Sequence, residues 1–285
     1  MNIITRIRIY LHSSVLLIIN KKYSLAERVH LLIDFNRYSF KTLLVRYFNC
    51  NFKHESILGY KLYIDYYPDF VSQFVEIFVN FIYYFSIKVK YPKIIDCGSN
   101  IGISIIFFKI VYPQSKIISF EPDPNIFKLL SLNIQTNKLN NITLYNNALF
   151  SNNKILKFYD NSSTDPLSAK SIANSIYSQN HSKKFTFVKS LKLSKFINTN
   201  IDILKLDVEG AETKILYEIK NQIQKIRNIV LEFHTHSTYR DNKLSIILNV
   251  FENNKFYFSI NDAPGQSKKI EELRYLIIKA TKKTI

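Results

Sequence analysis

The stretch Lys93-Ile94-Ile95-Asp96-Cys97-Gly98-Ser99-Asn100-Ile101-Gly102 decides the fold, because an apolar strand pattern runs into a glycine turn and then into the helix-like run Ile103 to Val111. Strand, glycine turn and helix in that order make the nucleotide-binding corner of a doubly wound α/β sheet. Gly98 and Gly102 let the backbone turn sharply and leave room for a ligand, and Asp96 is expected to end the strand with its carboxylate toward the crevice. A dinucleotide turn wants the spacing G-x-G-x-x-G. Here the middle position is Asn100 and position 103 is Ile, which disfavours a nicotinamide-dependent oxidoreductase. The turn suits a ligand with a ribose and an amino-acid end but no phosphates, and S-adenosylmethionine fits that description. Asp96, Gly98, Ser99, Asn100 and Gly102 are its expected contacts.

A second strand pattern, Lys116 to Phe120, ends in Glu121-Pro122-Asp123-Pro124, with Glu121 lying 25 residues beyond Asp96. In a doubly wound sheet an acidic residue at about this offset sits at the neighbouring strand tip and accepts the ribose hydroxyl protons, the role expected of Glu121 beside Pro122. Pro122 and Pro124 stop the strand and preset a helix over about 125–136.

Further along, Ile201-Asp202-Ile203-Leu204-Lys205-Leu206-Asp207-Val208-Glu209-Gly210-Ala211-Glu212 is another strand entering a helix. Residues two apart share a face of a strand, so Lys205, Asp207 and Glu209 alternate with Leu204, Leu206 and Val208. Three charges on one side of an apolar strand end are costly in a core and sensible in a crevice. Glu209 and Glu212 also suit the start of a helix through its dipole. A later strand, Ile229 to His234, places Glu232 and His234 on one face, followed by Thr235 and His236.

With IIDCGSNIG, FEPDP and ILKLDVEGAE in that order, the chain resembles the FkbM-type S-adenosylmethionine-dependent methyltransferases over roughly Ile57 to His236. The third motif is the most specific, and the first two are shared widely among class I methyltransferases. Cys97 and Ser99 depart from the commoner small residues around the first glycine. The resemblance implies cofactor contacts near Asn147 and Ala148, and methyl transfer to oxygen on a sugar, glycan or related small molecule. It also places a segment corresponding to Phe70–Phe85 over the cofactor pocket, where Glu76 or Tyr83 would meet the ligand, buried packing being the preferred reading of Tyr83.

Methyl transfer to a hydroxyl needs alignment, exclusion of water and removal of a proton. His234 has a suitable ordinary pKa for the base, and Asp207 competes with it. Asp207, Glu209 and His234 would be the ligands if a divalent cation assists, though no tight metal-ligand spacing demands one. The catalytic set is therefore Lys205, Asp207, Glu209 and His234. His12, His30, His54 and His181 are scattered and read as surface or packing residues.

The expected architecture is a three-layer class I methyltransferase sandwich of Rossmann-like type. It has a mostly parallel seven-stranded sheet, an antiparallel edge hairpin from 256–260 and 275–279, and a helical N-terminal extension over 1–50. The methyltransferase domain is expected over 51–285, with its cofactor core at about 91–236. A hairpin turns at Gly59, the apolar spacing from Phe70 to Phe85 predicts one buried helix, and 161–182 reads as a substrate lid.

The net charge of +17 invites a nucleic-acid reading. Residues 1–90 nevertheless hold 12 basic and 6 acidic residues, or +6, leaving +11 for the other 195, nearly in proportion to length. Asp207-Val208-Glu209-Gly210 also stands where nucleobase-methylating enzymes carry an N-P-P-Y-like tetrapeptide. A solvated cationic surface is the better reading, with a nucleic-acid methyltransferase as an alternative. Cys50 and Cys97 make no disulfide framework, which suits a reduced, cytoplasmic setting. The apolar run 9–19 is too short to span a bilayer and has no cleavage site after it. It is expected to pack on the catalytic domain or a second subunit, the alternative being peripheral contact of residues 1–22 with the inner face of a membrane. A catalytically silent membrane- or glycan-binding module is the remaining alternative class.

Overall fold

Five parallel strands and an antiparallel hairpin build the central sheet. The computed structural model describes residues 3–159, 185–234, 241–262 and 275–283. Strands β3 (Lys93–Cys97), β4 (Lys116–Phe120), β5 (Ile142–Tyr145), β9 (Ile201–Leu206), β10 (Ile226–His234), β11 (Phe256–Asp262) and β12 (Tyr275–Lys282) lie in the order β11-β12-β10-β9-β3-β4-β5. Only β12 is reversed, pairing antiparallel with both β10 and β11, so the expected mostly parallel sheet with an antiparallel edge hairpin is the one formed.

Layers on both faces explain why the central strands read as nearly unbroken apolar runs. Ile94, Ile203 and Val230 point to one side, where they meet α4 (Ile103–Val111) and α5 (Pro124–Thr136). Ile95, Leu204 and Leu231 point to the other, toward α6 (Glu212–Glu218) and α7 (Leu244–Asn253). Asp123 caps α5 by accepting from the amides of Asn125 and Ile126, and Pro124 occupies its first turn. A small sheet, β6 (Ala148–Leu149), β8 (Phe185–Leu191) and β7 (Ile155–Tyr159) in that order, flanks the second layer.

The N-terminal segment forms α1 (Ile3–Ile19) and α2 (Leu25–Phe48). Ser24 and Glu27 make a reciprocal capping box that starts α2. Leu17, Leu31 and Tyr38 are fully buried in the same core as Ile94 and Phe107, so both helices pack on the first layer. None of the described helices is long and apolar enough to cross a membrane. β1 (His54–Ile57) and β2 (Tyr60–Tyr63) form the expected hairpin, with positive φ at both Leu58 and Gly59 as a two-residue primed turn requires.

The single helix expected over Phe70–Phe85 is not formed. Helix α3 (Tyr67–Phe74) passes into a π-helical turn, Val75–Val79, and the chain leaves the helix at Asn80, with Phe81 at φ 54°. Ile82, Tyr83 and Phe85 are buried from an irregular segment. The apolar spacing there thus reflects burial on all sides rather than one helix face. The 161–182 stretch read as a lid, and Thr235 and His236, lie outside the described residues.

Candidate active site

The carboxyl ends of β9, β3 and β4 lie side by side, with Cys97 in register with Leu206 on one side and Phe120 on the other. From β3 the chain winds outward to β4 and β5, and later returns to β9 and β10 on the opposite side. The ends of β3 and β9 therefore flank the crevice where ligands bind in open α/β sheets. Asp96, Glu121 and Asp207 reach this edge on three adjacent strands.

The turn after β3 is held by backbone. The amides of Gly98 and Ser99 both donate to the Phe120 carbonyl at 2.9 and 3.0 Å, and Gly102 N–H closes onto Ser99 O at 2.9 Å. The Ser99 hydroxyl lies 2.6 Å from that of Ser119. Gly98 has φ 86°, and a Cβ there would fall 1.8 Å from the Asp207 carbonyl oxygen. At Gly102, with φ 96°, a Cβ would fall 2.8 Å from Leu130 Cδ1. Neighbouring protein atoms thus already demand glycine at position 98 and crowd any side chain at position 102.

Glu121 is buried at the tip of β4. Its Oε2 accepts from Asn100 N–H at 3.0 Å and its Oε1 from Asp123 N–H at 2.8 Å. Each oxygen keeps a second lone pair, so two further donors can be accepted. Burial raises the Glu121 pKa to about 7, against the pull of those two amides. Asn100 sits at φ 49°, with its Oδ1 accepting from Ile101 N–H. Asn146 donates to the carbonyls of Glu121 and Pro122 at 2.9 and 3.1 Å, fastening the end of β5 to the same tip.

Asp96 departs from its expected orientation. It is fully buried rather than open to the crevice, with Oδ2 accepting from Ser104 Oγ at 2.6 Å and Oδ1 3.2 Å from Lys205 Nζ. Lys205 is itself 2% exposed and donates to the Gly98 carbonyl at 2.6 Å, with Asp207 Oδ2 at 3.4 Å. Burial pulls its pKa down, but Asp96 and Asp207 more than offset this and hold the ammonium charged. Lys205 therefore ties the turn after β3 to the end of β9. Cys97, between them, is fully buried, and burial pushes its thiol pKa up.

After β9 the chain turns through Glu209 and Gly210, both with positive φ, before α6 begins. His234, at the end of β10, is clasped between two carboxylates: Nδ1 is 2.9 Å from Glu212 Oε1 and Nε2 is 3.2 Å from Glu209 Oε2. Glu212 is fully buried and also accepts from Gly210 N–H and Asn242 Nδ2. Burial lowers the His234 pKa, but Glu209 and Glu212 outweigh it and hold the ring well above its ordinary value. Both ring nitrogens are thus engaged by carboxylates, an arrangement that favours the charged ring. Glu209 is raised to about 7, chiefly by burial. One ligating atom from each of Asp207, Glu209 and His234 lies within 4.8 Å of the others.

A fourth wall comes from the π turn and the edge hairpin. Tyr275 donates to Glu76 at 2.7 Å, and Tyr83 donates to Glu232. Burial lifts Glu76 to about 7 and Glu232 well above its ordinary value, each further raised by Asp207.

Residues 96–261 match the profile of the methyltransferase FkbM domain, more than half of the chain. The chain belongs to the FkbM methyltransferase family. Among curated relatives, it is 28% identical over 192 residues to methyltransferase sdnD of Sordaria araneosa, covering 56% of this chain and 74% of that protein. It is 24% identical over 161 residues to the 2-O-methyltransferase NoeI of Sinorhizobium fredii, covering 52% and 65%. Against the crystal structure of an FkbM methyltransferase from Methylobacillus flagellatus KT the TM-score is 0.44 at 16% identity, covering 67% of this chain and 44% of that one. The chain thus spans just under two thirds of NoeI and less than half of that crystallised chain.

In this FkbM-family chain the structure gathers Asp96, Gly98, Ser99, Asn100, Gly102, Glu121 and Pro122 at one strand edge with Lys205, Asp207, Glu209 and His234. Asn147 and Ala148 belong to the flanking small sheet: Asn147 donates to Lys189 O at 3.2 Å, and Ala148 pairs with Ser190. Sequence reasoning missed Ser104, Asn146 and Asn242, which fix Asp96, Glu121 and Glu212. The signal was weak for the latter two, but Ser104 was visible as a lone hydroxyl in the apolar run Ile103 to Val111.

Proposed function

We propose that the protein transfers the methyl group of S-adenosylmethionine to a hydroxyl oxygen of a sugar, glycan or related small molecule. The observation that carries this reading is the pair of partly exposed carboxylates, Asp207 and Glu209, beside the Gly98 turn and separated from Glu121 by β3 alone. When bound, the cofactor supplies a methyl group on an electrophilic sulfonium. The residues fit it: the spare lone pairs of Glu121 suit two ribose hydroxyls, and the 98–102 turn lacks the middle glycine that a pyrophosphate wants. Pro122 and the Asn147–Ala148 segment complete the set of contacts implied by the family.

The chain's own part is positioning and proton removal. Glu209, with its pKa near 7, accepts the proton of the acceptor hydroxyl, and Asp207 orients that hydroxyl from its tether to Lys205. A base so placed contributes on the order of 10²- to 10⁴-fold. Glu76, Glu232, Tyr83 and Tyr275 offer several acceptors and donors, as recognition of a polyhydroxylated molecule requires. The relative named as a 2-O-methyltransferase supports oxygen as the nucleophile. A second reading has Asp207, Glu209 and His234 holding a divalent cation, favoured by their convergence and by Glu212, which orients His234 from behind. Loss of turnover in chelator, restored by magnesium or manganese, would select it over Glu209 alone.

Calorimetric titration with S-adenosylmethionine, S-adenosylhomocysteine and NAD is the test. Saturable binding of the two sulfur compounds alone supports the proposal, and folded protein that binds neither overturns it. Transfer of labelled methyl to glycans, small polyols and nucleic acids then distinguishes the acceptor classes. Cofactor binding without transfer to any acceptor points to a catalytically silent module.

A further inference from the structure

The N-terminal hairpin carries a pattern that the family domain, residues 96–261, does not include. Along α2, Val29, Ile33, Asn36, Phe40, Leu43 and Tyr47 are all exposed and follow one another at intervals of four, three, four, three and four residues. The five apolar members are 47% to 63% exposed. At 100° per residue they form a stripe roughly 80° wide that runs most of a helix about 36 Å long. The stripe lies opposite Leu31, Asp34 and Tyr38, the residues α2 buries against its own domain. Apolar residues repeating every 3.5 positions are the seam that a helix presents to another helix. On α1, Leu11, Val15 and Ile18 repeat the interval, again opposite a buried residue, Ser13.

We propose that this face of α2, with α1 beside it, packs against the same face of a second copy of the chain to form a twofold helical bundle. The apolar surface is sufficient. Of the twenty large apolar side chains left exposed among the described residues, eleven lie between Leu11 and Phe48. Together they amount to on the order of 1,000 Å² on one protomer, against about 800 Å² per partner in a standard stable interface. Asn36, the polar member of the seam, enters partly satisfied: it donates to Leu32 O at 2.7 Å and accepts from Tyr10. One N–H and one lone pair remain for a partner across the seam, and a single polar seam residue favours one register over others.

A lipid surface is a poorer occupant. An interfacial helix needs a wide apolar face flanked by free Lys and Arg. The basic residues of α2 are mostly engaged within the protomer: Arg37 pairs with Asp34 at 2.9 Å and Glu55 at 3.2 Å, Lys41 with Glu55 at 2.5 Å, and Arg28 donates to Ile18 O.

Sedimentation velocity of the full chain, from micromolar to hundreds of micromolar, tests the proposal. The wild type is expected to dimerise, and Ile33→Lys with Leu43→Lys to weaken the dimer roughly tenfold or more. Both side chains are exposed in the protomer, so the far-ultraviolet circular dichroism should be unchanged. Tyr217→Lys, exposed on α6, should leave the dimer as it was. A wild type that stays monomeric throughout, or a dimer indifferent to the double substitution, overturns the proposal. A monomer that co-sediments with phosphatidylserine vesicles through this face also overturns it and assigns the face to lipid.

Discussion

The Nζ of Lys205 donates to the carbonyl oxygen of Gly98, 107 residues earlier, at 2.6 Å. One buried ammonium thus bridges the turn after β3 and the end of β9, and Asp96 supplies its countercharge. Lys205→Met strands the fully buried Asp96 carboxylate without its cation. A loss of about 3–5 kcal/mol in urea unfolding is expected, with Asp96→Asn in the same chain recovering part of it. A loss below about 1 kcal/mol would show that the pair does not hold the turn.

Gly98→Ala and Gly102→Ala should differ in severity although both positions have positive φ. The first Cβ meets the Asp207 backbone carbonyl just past the end of β9, which cannot yield, and the second meets the end of the Leu130 side chain, which can rotate. Gly98→Ala is expected to abolish cofactor binding and lower the thermal midpoint the more strongly of the two. Equal midpoints for the two variants would contradict this account of the turn.

Glu121→Gln keeps an oxygen for one of the two amides but removes the charge. Calorimetry should show S-adenosylmethionine binding weakened roughly tenfold to a hundredfold, the value of a hydrogen bond to a charged acceptor, with circular dichroism unaltered. Unchanged affinity would take Glu121 out of the site.

Turnover should rise with pH through about 7 as Glu209, lifted there by burial, loses its proton. Glu209→Gln should remove this limb along with most of the activity, whereas Glu76→Gln should keep it. A rising limb that survives in Glu209→Gln would place the base elsewhere.

The unliganded protein should be more stable toward acid in this range. Glu121 has a folded pKa raised to about 7, so its contribution is present below its ordinary value and lost as pH rises through about 7. The change is at most about 3 kcal/mol. Urea unfolding near pH 5 and near pH 8 should show the difference, and Glu121→Gln should shrink it. An undiminished difference in that variant would assign the effect to other groups.

Strand placement was legible because β3, β4 and β9 each end in an acidic residue after a buried apolar run. Glu121 could be located by its offset from Asp96 alone. Side-chain direction was not: the sequence does not reveal that a lysine far along the chain inserts beside Asp96 and turns a presumed crevice carboxylate into an interior one. The surroundings of His234 were hidden for a similar reason. Its ordinary pKa suits a base, but Glu209 and Glu212 close on both ring nitrogens, and Glu212 by itself read as a residue favouring the start of a helix. The π turn at Val75–Val79 was hidden because apolar spacing records burial, not the backbone path that achieves it.

Cys97 gives the turn an internal timekeeper. Its sulfur is sealed beneath the residues that join β3 to β9, and its raised pKa keeps it in the unreactive thiol form. An alkylating reagent reaches it only when that seam parts. The slow phase of labelling, separate from the more accessible Cys50, therefore counts openings of the corner one molecule at a time, and a ligand that settles there should be felt as a lengthening interval between them.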